Sequence, residues 1–167
     1  MRVLVYAALL FATFFIAGCA NPTRANDSEH PEKPPWHGRL AVRVEADSPL
    51  NSAQSFSAPF ELNGNALSGE LTLYTPLGNI AATLSWSPQT AILRADGDVR
   101  YFDSLDNLIK QTVGTEIPVA ALFAWLSGDN LIADGWHADL SQQVSGKITA
   151  RRSEPRPQAE IRLVLDK

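Results

Sequence analysis

The sequence predicts a mainly β domain with a small α part, a curved antiparallel sheet or barrel with short helices over its open side. Three observations carry this. From Trp36 to Phe102 apolar residues recur with a period of two in six successive segments, the pattern of half-buried strands. Asn63-Gly64 and Asp96-Gly97 fall between such segments and supply the positive φ angles of tight hairpins, so strands adjacent in sequence pair antiparallel. Between Ser104 and Gly128 the period changes to 3.6 in two short runs, both more apolar than a solvent-facing helix requires.

The elements follow in order. Strand one places Gly38, Leu40, Val42 and Val44 on one face, with His37, Arg39, Arg43 and Glu45 mostly on the other. Strand two alternates Phe56, Ala58, Phe60 and Leu62, and Pro59 within it calls for an edge, a bulge or a bend. Strand three carries Gly69, Leu71 and Leu73; strand four carries Ile80, Ala82, Leu84 and Trp86. Strands five (90–95) and six (99–102) complete a meander whose accumulated twist curls it. Asp103 or Ser104 caps a helix with apolar positions Leu105, Leu108, Ile109 and Thr112 or Val113, and Gly114 ends it. Pro118 opens a second helix, with Val119, Leu122, Phe123, Trp125 and Leu126 before Gly128. After an Asp134-Gly135 turn come three weaker strands, 136–140, 144–152 and 159–166.

The N-terminus reads as a bacterial lipoprotein signal. Arg2 supplies the positive charge, Val3 to Ile16 the apolar run, and Ala17-Gly18 the small residues ahead of Cys19, the only cysteine. A run of about 14 residues is short of the ~20 needed to cross a bilayer. Residues 1–18 are therefore expected to be removed and Cys19 to carry the lipid. Residues 19–35 hold Pro22, Pro31, Pro34 and Pro35 with no apolar period and read as a tether. Residues 36–167 form one domain, of a size that buries roughly 70% of its unfolded surface. Ala20 follows the cysteine where bacterial lipoproteins kept at the inner membrane carry aspartate, so the expected location is the periplasmic face of the outer membrane.

The chain has 14 Lys+Arg against 18 Asp+Glu and a formal net charge of −4. No basic run exceeds Arg151-Arg152 and no aromatics interleave with basic residues, which argues against nucleic acid. Asp96, Asp98 and Asp103 could offer oxygens to a hard cation, but hairpin-turn chemistry explains them without one. His30, His37 and His137 have no metal-ligand spacing. There is no nucleophile elbow, P-loop or dinucleotide fingerprint, so no enzymatic activity, cofactor or metal is expected.

Thr75-Pro76-Leu77-Gly78 differs in kind. Proline fixes one turn angle and glycine permits the reverse one, so the leucine between them is either presented at a tip or folded back into the core. An exposed leucine at the tip would suit shallow entry into lipid or into another protein's groove.

Taken with the lipoprotein signal, Gly38 to Arg43 (G-R-L-A-V-R), Thr75 to Gly78 (T-P-L-G) and Ile117 to Gly128 (I-P-V-x-x-L-x-x-W-L-x-G) together resemble the LolB family of outer-membrane lipoprotein receptors. The resemblance implies an unclosed antiparallel barrel with helices as a lid over an apolar cavity. That cavity takes the acyl chains of lipoproteins from the periplasmic carrier LolA, and the chains then pass into the outer membrane. It also implies that Pro76, Leu77 and Gly78 form the membrane-insertion loop. Such a protein is expected to be a monomer whose partners are LolA, acylated lipoproteins and membrane lipid. Known members carry a helix before the first strand, which here is replaced by the proline-bearing tether.

Candidates for the cavity lining are Leu40, Val42, Val44, Phe56, Phe60, Leu71, Leu73, Ile80, Leu84, Trp86 and Leu93 on the sheet, with Leu108, Leu122 and Trp125 on the helices. Alternation does not separate a lining from a solid core, since both need the same face apolar. Two other readings stay open: a lipocalin-like binder of small hydrophobic ligands, which has no use for a leucine at a tip, and a structural lipoprotein with a packed interior.

Overall fold

The computed structural model describes residues 34–48 and 52–166. The signal, Cys19 and most of the tether lie outside the described residues.

Nine strands form one sheet: β1 (Trp36–Val44), β2 (Gln54–Gly64), β3 (Gly69–Tyr74), β4 (Ile80–Ser87), β5 (Thr90–Ala95), β6 (Asp98–Phe102), β7 (Trp136–Asp139), β8 (Lys147–Arg152) and β9 (Ala159–Leu165). The order is β6-β5-β4-β3-β2-β1-β9-β8-β7 and every pairing is antiparallel. β6 and β7 are the two ends and do not pair, so the sheet curls without closing. Helices α1 (Leu105–Val113) and α2 (Val119–Leu126) connect them.

Local chemistry accounts for most boundaries. Asp96 and Gly97 have φ of 54° and 83°, the double positive φ of a two-residue hairpin. The Ser104 side chain accepts from the Asn107 N–H at 3.2 Å and caps α1, and Asn107 Nδ2 donates to Asp103 Oδ1 at 2.8 Å. Gly114, at φ 78°, ends α1 in the left-handed conformation. Pro59 lies just before the β2–β3 ladder begins at Phe60↔Leu73, where β2 has β1 alone as neighbour. Gly38 pairs with Leu165, and a Cβ there would collide with the Val164 carbonyl, so the close approach of β1 to β9 requires glycine.

Two expectations need correction. Asn63-Gly64 is not the β2–β3 turn; both residues belong to the ladder, opposite Glu70 and Gly69. The turn is 65–68, held by Asn65 Oδ1, which accepts from the Leu67 and Ser68 N–H groups at 2.8 and 3.1 Å. β8 starts at Lys147 rather than 144, because Gln143–Ser145 form a 3-10 turn and leave Val144 in water.

Packing divides the domain. On the C-terminal side Trp125, Trp136, Ile148, Ala150 and Leu163 are buried in a solid core. Trp125 Nε1 donates to the Leu131 carbonyl at 2.8 Å and Trp136 Nε1 to the Glu116 carbonyl at 3.2 Å, so both large rings sit dry with their one polar atom satisfied. Arg152, also buried, donates to Thr115 Oγ1 and to the Glu116 and Pro157 carbonyls, and ties the α1–α2 linker to β8.

Candidate functional site

Between the concave face and the helices the packing stops short and leaves a cavity of about 300 Å³. A single water needs only about 10–15 Å³, and ~300 Å³ is where ligand pockets begin. Strands β1 to β6 and β9 all reach it, as do α1, α2 and their linker. Strands lie about 4.8 Å apart, so seven of them share one cavity only because the sheet wraps around it.

Nine sequence candidates stand on its wall: Leu40, Val42, Phe56, Leu71, Leu73, Leu84, Trp86, Leu93 and Leu122. Val44, Phe60, Leu108 and Trp125 do not; they are fully covered within the solid core. Ile80 is on neither, and is 65% exposed. Its strand keeps the alternation, but the β3–β4 register shifts between Leu73↔Ala82 and Tyr74↔Ile80, and this bulge turns Ile80 off the concave face.

The wall also holds residues that sequence reasoning missed. Leu62, Ala82 and Ala95 share the alternation of their strands, Leu105 and Ile109 the apolar face of α1, so the signal for these was present. Phe123 fills the angle between Trp36 and Trp86, with ring centroids 5.5 and 6.4 Å away. Ile161 reaches the wall because β9 pairs with β1, which nothing local announces. Arg100 carries a charge, which in a sequence points outward rather than to an apolar wall. Thr112 lines the cavity but gives its hydroxyl to the Leu108 carbonyl at 2.8 Å.

At the end of β3 and β4 the chain turns through Thr75–Asn79. The Gly78 N–H donates to the Thr75 carbonyl at 2.9 Å, and Thr75 and Asn79 are joined by the Thr75 N–H to the Asn79 carbonyl and the Asn79 N–H to Thr75 Oγ1, at 2.8 and 3.2 Å. Gly78 has φ 83° and open space where a Cβ would stand, so it is required for its backbone conformation and not for room. The tip is thus rigid, and Leu77 at its apex is 89% exposed. Ile80, at the base of the same hairpin opposite Tyr74, is exposed as well. Below it the Tyr74 hydroxyl donates to Glu61 Oε2 at 3.3 Å; burial and then the Glu61 carboxylate push the Tyr74 pKa up, which keeps the donor protonated.

The aspartates offered as a cation site have other duties: Asp96 forms the β5–β6 turn and Asp103 holds Asn107 at the start of α1. Among the described residues no helix is long and apolar enough to cross a membrane.

The family profile described as Outer membrane lipoprotein LolB matches residues 35–145. The outer-membrane lipoprotein LolB of Bordetella petrii is 28% identical to this chain, over 90% of it and 86% of the relative. That of Chromobacterium violaceum is 26% identical over 77% of this chain and 78% of the relative, and that of Shewanella loihica 30% identical over 73% and 56%. The profile match runs from β1 to the turn after β7 and takes in both helices, the Leu77 tip and every cavity-lining residue except Ile161, and on this ground the chain belongs to the LolB family.

Proposed function

We propose that this protein is an outer-membrane lipoprotein receptor, anchored through Cys19 on the periplasmic face, that accepts lipoproteins from the carrier LolA and inserts them into the outer membrane. The observation that carries the reading is the cavity, whose wall is aliphatic and aromatic except for Arg100 and a hydroxyl already spent on backbone. Acyl chains are insoluble, and moving them through water needs an apolar enclosure. It needs no bond made or broken, so no catalytic group is called for. Leu77 supports the insertion step, because a rigid turn keeps a large apolar side chain in water, where it is ready to enter lipid. The names of the relatives, all outer-membrane lipoproteins, support the location.

The core described above is built from residues between Trp36 and Leu165, so a polypeptide of residues 20–167 keeps it intact without the lipid. That polypeptide, mixed with LolA carrying a labelled lipoprotein, should take the label in stoichiometric amounts, and the lipidated protein should pass it on to liposomes. Retention of the label by the carrier would refute receipt. Uptake without delivery by the lipidated protein would refute insertion and leave a storage protein.

A further inference from the structure

The cavity has one charged residue on its wall, Arg100. It is paired across the β5–β6 ladder with Leu93, itself a lining residue, and it is also exposed to solvent. Its guanidinium therefore stands where the apolar wall meets water, at the free edge of the sheet. Among the described residues no carboxylate pairs with it. Its contact is the Phe102 ring, with Cζ 5.8 Å from the centroid, which leaves the N–H donors in the guanidinium plane available.

An acyl chain ends in an oxygen-bearing head, whether carboxylate, ester or amide, and that head must stay at the boundary while the methylenes go inward. A planar guanidinium with five donors fits such oxygens, bidentately for a carboxylate. We propose that Arg100 is the head-group anchor of the cavity: it binds the carbonyl or carboxylate oxygens of the acyl ligand and sets the direction in which the chain enters. This rests on the cavity being an acyl-chain site.

The test uses residues 20–167 as wild type, Arg100→Gln and Arg100→Lys, with three ligands: palmitate, monopalmitin and the oxygen-free probe N-phenyl-1-naphthylamine. Arg100→Gln should weaken palmitate by about three- to tenfold, the range for a charge-assisted hydrogen bond discounted for exposure, and leave the probe unchanged. Arg100→Lys should fall between. A parallel loss for monopalmitin assigns the shared carbonyl; a loss confined to palmitate assigns the free acid. Unchanged palmitate binding by Arg100→Gln, or an equal loss for the probe, overturns the anchor. Wild-type protein that binds none of the three overturns the acyl cavity itself.

Discussion

Replacing Leu77 with glutamate separates delivery from receipt. The side chain is 89% exposed, so nearly all of its apolar surface is already in water and the folded state loses little on substitution. Changes at exposed sites stay within about 0.5 kcal/mol, against ~2–5 kcal/mol for truncating a core leucine to alanine. Entry into lipid is where the cost falls. Burying a leucine fully is worth about 1.5–3 kcal/mol, and tenfold in an equilibrium constant is about 1.4 kcal/mol, so loss of that burial weakens the inserted state by roughly 10- to 150-fold. A charged carboxylate at the tip adds to this. The assay is a thermal melt, followed by receipt of labelled lipoprotein from LolA and release into liposomes. The expected result is wild-type melting, wild-type receipt and failed release. A stably folded Leu77→Glu protein that delivers normally would refute the insertion role, and a large drop in melting temperature would refute the exposed placement.

Ala82→Phe places a ring in the cavity from the first half of β4 and should reduce uptake of N-phenyl-1-naphthylamine while circular dichroism stays that of the wild type; undiminished uptake would show that the cavity is not the binding site. Ser104→Ala removes the cap of α1 and should cost about 1 kcal/mol in denaturant unfolding. Burial pushes the Glu160 carboxyl up, but hydrogen bonds from Arg151 and Arg162 outweigh it and hold the group below the ordinary carboxylate value of 4.5. A lowered folded pKa means stability that is present above about pH 4.5 and lost as pH falls through the folded value. Glu160→Gln should therefore flatten the decline of melting temperature below that pH, and an unchanged acid limb would show that Glu160 does not contribute.

Much of this domain was legible in the amino-acid sequence, because the deciding interactions are short-range. Alternation marked β1 to β6, Asp96-Gly97 the positive-φ hairpin, and Ser104 and Gly114 the ends of α1, each through groups a few residues apart. Pro76 and Gly78 constrain their own backbone, so the tip holding Leu77 could be drawn from three residues, although its exposure could not. Asn63-Gly64 misled, because Asn65 competes for the same turn and holds it with its own side chain. The closing of β9 onto β1 joins residues more than a hundred positions apart and has no local sign, so Ile161 could not be assigned to the cavity. Nor does a period of two distinguish Val44 and Phe60, buried in solid core, from Val42 and Leu84, which face space. That depends on how far the sheet curls and where the helices settle across it, and only tertiary structure decides whether an apolar face is filled or left open.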